Sequence, residues 1–266
     1  MIIISWSNSP LIEPGHKLNF LLTKRAARIR VLQFQEFPLL ENIDIIAFDL
    51  DDTLWPCMPT INYAEETLYQ WLEQNFPQIT DRYSTEDMIG MRKQLMSEDE
   101  LFAIDLSLMR CALLKQLAEE AGYDPKEVSE GGFEVFYEAR QQVSFYDDVL
   151  PCLQRLKLKF RLGAISNGNA NVEKVGLGHL IEHSVSASES KVAKPNKLIF
   201  EELVERFGVA ANRVLYVGDH PEFDVIGPQE AGLQAIWINR ENNVWPEHLQ
   251  QPRYQISNLH ELELLL

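Results

Sequence analysis

The chain has 266 residues, 45% hydrophobic and 24% charged, enough for one large or two modest folded units with a substantial core. Its formal net charge of -16 argues against a nucleic-acid or anionic-membrane surface, which needs clustered Lys and Arg. Three widely spaced cysteines (Cys57, Cys111, Cys152) make no CxxC or Cys/His ligand pattern, so reduced thiols in a cytoplasmic protein are expected rather than zinc or a disulfide framework.

In chain order, residues 1–40 come first, with five basic and two acidic side chains. This stretch carries +3 and the remainder -19. Lys24, Arg25, Arg28 and Arg30 read either as a solvated face or as an arm for an anionic partner. The opening residues lack the basic n-region and the length of an export signal. No apolar run reaches the ~18 residues of a membrane span, so neither export nor membrane insertion is expected.

The apolar run 43–48 predicts a buried strand, and it ends directly on Asp49, Asp51, Asp52 and Thr53. Three carboxylates so close together repel one another unless a cation or a proton is shared among them. Asp49 and Asp51 stand two apart, so an extended backbone can point both into one crevice. An acidic cap or turn for the next helix is the alternative, since Asp favours both places. Trp55 follows at once, either packed beneath what comes next or in contact with a ligand.

Residues 56–147 contain no good strand. Helical spacing of apolar residues recurs over 63–74, 85–96, 106–121 and 127–142, predicting a four-helix insert with its own small core. Too large for an ordinary crossover, this insert must sit above the sheet edge as a lid. Its aromatics (Tyr69, Trp71, Phe102, Phe133, Phe136, Tyr137) are expected to fill that core.

After the insert, strands and helices alternate. Strands are predicted at 161–165, 183–186 (weak), 213–217 and 234–238, and helices at 148–157, 170–175, 197–207 and 222–231. Such alternation implies right-handed crossovers and an α/β fold, a Rossmann-like parallel sheet with an inserted all-helical cap. The expected organisation is an N-terminal extension over 1–40, a core from 41–55 and 148–266, and a cap over 56–147. Ligands bind outside the carboxyl ends of parallel strands. Those ends carry Asp49 and Asp51, then Ser166, Asn167 and Gly168, then Gly218 and Asp219, with Asp224 soon after and Lys194 before a helix.

Carboxylates from different strands can hold Mg2+ through oxygen, the ligand that hard cation prefers. A lysine, a hydroxyl and turn N–H groups suit phosphate oxygens. A carboxylate nucleophile can divide hydrolysis through an aspartyl-phosphate while a second acid moves protons.

Taken in order, Asp49-Leu50-Asp51-Asp52-Thr53, Ser166-Asn167, Lys194-Pro195 and Gly218-Asp219 with Asp224 resemble the four motifs of the haloacid dehalogenase superfamily of hydrolases. The likeness covers about residues 43 to 240, and the insert looks like that family's first-position cap. The resemblance implies Asp49 as nucleophile and Asp51 as acid/base. Thr53, Ser166, Asn167 and Lys194 would serve the phosphoryl group, with Thr53 also orienting the acids. Asp49, Asp51 and Asp219 would hold Mg2+, with Asp224 as an auxiliary acid behind them.

Dehalogenating members of the family lack the second aspartate, so Asp51 favours a phosphatase of a small phosphorylated metabolite. Dehalogenation and a non-catalytic binding protein on the same scaffold are the alternatives. The stretches Ile165-Ser166-Asn167-Gly168-Asn169-Ala170, Gly176-Leu177-Gly178 and Trp237-Ile238-Asn239-Arg240-Glu241-Asn242 look like riboflavin-pathway phosphatases, which act on flavin mononucleotide or its ribityl-phosphate precursor. His220 after Asp219 departs mildly from the family pattern and reads as a loop residue.

Overall fold

The computed structural model describes residues 42–266, so the expectations for the stretch 1–40 lie outside the described residues. The chain begins with β1 (Ile45–Phe48) and passes at once into helices. These are α1 (Cys57–Asn75), α2 (Pro77–Thr80), α3 (Thr85–Glu98), α4 (Glu100–Ile104), α5 (Leu106–Ala121) and α6 (Pro125–Arg140). Then come α7 (Val149–Leu156), β2 (Arg161–Ser166), β3 (His183–Ser186), α8 (Ala187–Ser190), α9 (Lys197–Phe207) and β4 (Val214–Gly218). A wide helical turn (Pro221–Ile226), α10 (Gly227–Glu230), β5 (Gln234–Ile238), β6 (Gln255–Ile256) and α11 (Leu259–Glu263) complete it.

The six strands form one parallel sheet in the order β3-β2-β1-β4-β5-β6. The order runs outward from β1 in one direction and then, from β4, in the other. The boundary between β1 and β4 is therefore the switch point, where the carboxyl ends of an open sheet leave a crevice. Register places Phe48 beside both Ala164 and Val217, so Asp49 emerges between the ends of β2 and β4.

Strand side chains alternate between the two faces, and the core follows. Ile46, Phe48, Leu162, Ala164, Leu215 and Val217 pack on one face with Val149, Cys152, Leu153 and Leu156 of α7. Ile45, Ala47, Ile165, Val185, Val214 and Tyr216 pack on the other with Ile199, Phe200, Leu203 and Phe207 of α9. Both faces are covered, which is why these strands read as continuous apolar runs.

The helical insert buries a separate cluster, including Ala64, Leu68 and Leu72 of α1, Leu113, Leu114 and Leu117 of α5, and Val128 and Phe136 of α6. Tyr69, Trp71 and Phe133 pack against it. Six helices stand there rather than the four expected, because the short α2 and α4 fill the connections. α3 starts on a reciprocal cap between Ser84 and Asp87, and α4 and α5 start on the Asp99 and Asp105 side chains.

The expected helix over 170–175 is absent. The Asn171 side chain accepts the N–H groups of Glu173 and Lys174, making one turn. Gly176 then takes a positive φ of 88° and stops its propagation. The two-residue strand β6 went unforeseen, since Gln255 and Ile256 are too few to carry a periodic signal. No helix among the described residues is long and apolar enough to cross a membrane.

Candidate active site

Just beyond β1, Asp49 is 6% exposed and its backbone N–H donates to Val217 O at 2.9 Å. Its Oδ1 accepts from Lys194 Nζ at 2.5 Å. The same ammonium donates to Asp224 Oδ1 at 2.6 Å and to the Tyr216 hydroxyl at 3.1 Å. Burial alone would push the Lys194 ammonium down, but the Asp224 and Asp49 carboxylates outweigh it and hold the group well above the usual lysine range. Lys194 is therefore a fixed positive charge between two buried acids. Burial raises the Asp49 carboxyl, an effect Lys194 opposes, so its ionisation depends on positive charge close by.

Asp219 follows β4 and accepts from the Thr53 hydroxyl at 3.1 Å. Asp224 lies on the wide turn, where its Oδ2 accepts the His220 N–H at 2.9 Å. His220 thus serves Asp224 through its backbone, while its ring Nδ1 accepts the Phe223 N–H at 3.2 Å and stacks on the Phe223 ring with centroids 4.0 Å apart. Carboxylate oxygens of Asp49, Asp219 and Asp224 all fall within 4.8 Å of one another. Burial, then the neighbouring Asp224 and Asp52 charges, push Asp219 up to about 7. Three hard oxygen donors around one point, with a proton retained where charge is crowded, fit a small divalent cation.

Asp51 points elsewhere. Its carboxylate accepts Trp55 Nε1 at 2.9 Å and takes Arg140 Nη2 on both oxygens, at 2.7 and 2.6 Å. The three gathered carboxylates are therefore Asp49, Asp219 and Asp224, whereas the sequence suggested Asp49, Asp51 and Asp219 with Asp224 behind them. Asp52 plays the structural part weighed for all three acids. At a φ of 58° it turns the chain, and its Oδ1 accepts the Cys57 N–H that opens α1.

From β2, Ser166 Oγ accepts the Gly168 N–H at 2.9 Å. Asn167 ties this loop to the lysine: its Nδ2 donates to Lys194 O at 3.1 Å, and its Oδ1 accepts the Lys194 N–H at 2.8 Å. Gly168 has a steric reason to be glycine, since a Cβ there would stand 2.7 Å from Asp51 Oδ2. All eight residues singled out in the sequence therefore meet on one rim. Thr53 and Asn167 spend their side chains on Asp219 and on the Lys194 backbone.

The description haloacid dehalogenase-like hydrolase matches residues 43–232. The chain belongs to this family. A curated relative of the hydrolase is the 5-amino-6-(5-phospho-D-ribitylamino)uracil phosphatase YigB of Escherichia coli (strain K12), 29% identical over 85% of this chain and 98% of its own. Pyrimidine 5'-nucleotidase YjjG of the same organism is 28% identical over 84% of this chain and 97% of its own. A solved structure named 2-haloacid dehalogenase, from Pseudomonas syringae pv. Tomato DC3000, is 36% identical with a TM-score of 0.78, covering 84% of this chain and 97% of that one.

Two residues of the hydrolase's site escaped the sequence reading. Tyr216 sits inside an apolar strand run, and its hydroxyl donates to Ile165 O while accepting from Lys194. Arg140 ends α6, where a basic residue reads as an ordinary complement to the helix dipole. Its partner stands 89 positions earlier, so no local pattern joins them.

Proposed function

We propose that this hydrolase is a phosphatase of small phosphate monoesters, working through an aspartyl-phosphate on Asp49. The observation that carries the reading is the pairing of two aspartates with opposite surroundings at one strand end. Asp49 is buried against a fixed lysine charge and beside two further acids, whereas Asp51 faces the insert, where a leaving group would lie. In the first step an Asp49 oxygen bonds to phosphorus as the ester P–O bond breaks, and Asp51 delivers a proton to the departing alkoxide. In the second, water attacks phosphorus, its proton passes to Asp51, and the P–O bond to Asp49 breaks to release phosphate.

Asp49, Asp219 and Asp224 would hold a divalent cation such as Mg2+, which supplies positive charge against the repulsion between carboxylate and phosphate. Lys194 adds its own charge, and the Ser166–Gly168 loop lines the same crevice. The names of the relatives favour a polar alcohol as leaving group, of the ribityl-phosphate or nucleotide kind, with flavin mononucleotide also a candidate.

Dehalogenation is the second reading, favoured by the 36% identical structure of that name. Displacing a halide needs no proton donor, so it leaves Asp51 without a task. A panel of para-nitrophenyl phosphate, flavin mononucleotide and 2-chloropropionate, with Mg2+ or EDTA, separates the two. Phosphate release that needs Mg2+ supports the phosphatase, and halide release without it overturns that reading. Asp49→Asn is expected to lose at least about 10³-fold in kcat, roughly 4 kcal/mol of barrier, because an amide is no nucleophile. Retention of a tenth of the activity would remove Asp49 from the covalent role.

A further inference from the structure

The guanidinium of Arg140 is 1% exposed and reaches from the last helix of the insert onto the rim. It spends its bonding capacity oddly. Arginine matches a carboxylate best with two nitrogens of its planar fork. Here one nitrogen, Nη2, meets both oxygens of Asp51, at 2.7 and 2.6 Å. Nε and Nη1 are buried and have no hydrogen-bond partner among the described residues. Buried donors are nearly always paired, so two on one side chain call for a missing acceptor. A guanidinium serving only to close the insert onto Asp51 would turn its fork to the carboxylate and leave fewer donors orphaned.

The location says what the acceptor is. A Cβ placed on Gly168 would lie 2.7 Å from Asp51 Oδ2, 3.3 Å from Ser166 Oγ and 3.5 Å from Arg140 Nη2. Through Nη2, Arg140 thus borders the same small space as the Ser166 hydroxyl and the acid two residues from Asp49, and Nε and Nη1 belong to the same planar group. A phosphate ester under attack by Asp49 comes to that space with several acceptor oxygens and negative charge. Arg140 is fixed to the insert, while Asp51, Ser166 and Asp49 are fixed to the sheet, so such a contact also holds the two halves together over the substrate.

We infer that Arg140 is a substrate-contacting residue. Its Nε–H and Nη1–H donate to oxygens of the bound phosphate ester while Nη2 keeps the Asp51 carboxylate in place. This inference rests on the phosphatase reading and adds to it a cation delivered by the insert. Two other charged groups of the insert do not share the property, since Arg110 and Arg92 both spend their charge on Glu65 within it.

Inorganic phosphate, the product common to every ester, is the probe. With Mg2+ present, its inhibition constant against para-nitrophenyl phosphate turnover is measured for the wild type, Arg140→Gln and Arg140→Lys. Arg140→Gln is expected to weaken phosphate at least about tenfold, Arg140→Lys less, and added guanidinium should restore part of the activity of Arg140→Ala. An unchanged phosphate constant in folded Arg140→Gln overturns the inference, as does an equal loss in the glutamine and lysine variants with no guanidinium rescue. Should the variants not fold, a wild-type crystal grown with phosphate decides. A phosphate oxygen within about 3.2 Å of Nε or Nη1 supports the contact, and an anion bound at Asp49 with both nitrogens still unpaired refutes it. Absence of wild-type turnover with every ester would instead overturn the phosphatase reading, and calorimetric phosphate binding would still test Arg140.

Discussion

The strand-end rim and the helical insert handle charge in opposite ways. On the rim, Asp49, Asp224, Tyr216 and Asn167 are each hydrogen-bonded to Lys194, the first three through its ammonium and Asn167 through its backbone. Their positions follow from strand register and backbone contacts, which leaves little freedom. The insert is built on aliphatic and aromatic packing and sends one buried cation toward the rim. Preorganised charges on rigid strands suit the reacting phosphoryl group, which is common to all esters. A packed helical body joined to the sheet at both its ends suits the part of the substrate that varies. Changes on the rim should therefore act on every substrate alike, and changes where the insert meets it should depend on the leaving group.

Asp51 lies where these two regimes touch, and its substitution should separate them most clearly. Asp51→Asn keeps an acceptor oxygen for Arg140 and Trp55 but cannot carry the proton. Esters of poor leaving groups, such as ribityl or sugar alkoxides, are expected to lose about 10²–10⁴-fold in kcat/KM. Para-nitrophenyl phosphate, whose leaving group needs no proton, should lose far less. Equal losses on both kinds of ester would remove Asp51 from proton transfer.

Much of the rim was legible in the sequence because each of its groups follows a strand or opens a helix. The ranges 183–186 and 234–238 coincide with β3 and β5, and Asp49, Ser166 and Asp219 stand at the strand ends where expected. What could not be read depends on which way a side chain turns. Nothing in Asp49-Leu50-Asp51-Asp52 says that Asp52 will cap α1, that Asp51 will turn to the insert, or that Asp224 will join the gathered carboxylates. The same limit hid Arg140, since a buried ion pair across 89 positions leaves no periodic trace.

A middle-sized effect should come from Asp219, on the rim itself. With its carboxyl raised to about 7, a proton competes with any cation at the site. Mg2+ affinity, measured by calorimetry, is expected to rise by up to about tenfold per pH unit below 7 and to level off above it. Metal-free protein should behave conversely. Between the ordinary aspartate value of 3.8 and about 7, the folded state keeps a proton that the unfolded chain releases, so stability falls as pH rises through that window. Added Mg2+ should offset the loss at the upper end. Affinity that does not change across the window would mean that Asp219 does not bear the cation.

The smallest expected effect concerns Trp55, which lies on the rim just before the first helix of the insert. Its side chain is fully buried, edge-on to Phe145 with centroids 5.6 Å apart, so it does pack beneath the insert. It also donates Nε1–H to Asp51 Oδ1 at 2.9 Å. Cys57, two residues on, feels the same acid: burial and then the Asp51 and Asp52 charges push its thiol up to about 12. One carboxylate is thus held from the entry to the insert through Trp55 and from the end of its last helix through Arg140. Trp55→Phe removes the first grip and keeps most of the apolar contact. A hydrogen bond to a charged group contributes about 1.5–3 kcal/mol, but Arg140 still holds Asp51, so a loss of only about three- to tenfold is expected. That loss should fall on poor leaving groups, with para-nitrophenyl phosphate turnover nearly unchanged. If both esters slowed alike while the melting temperature fell, Trp55 would be a packing residue alone. Orientation of the acid would then rest with the insert through Arg140.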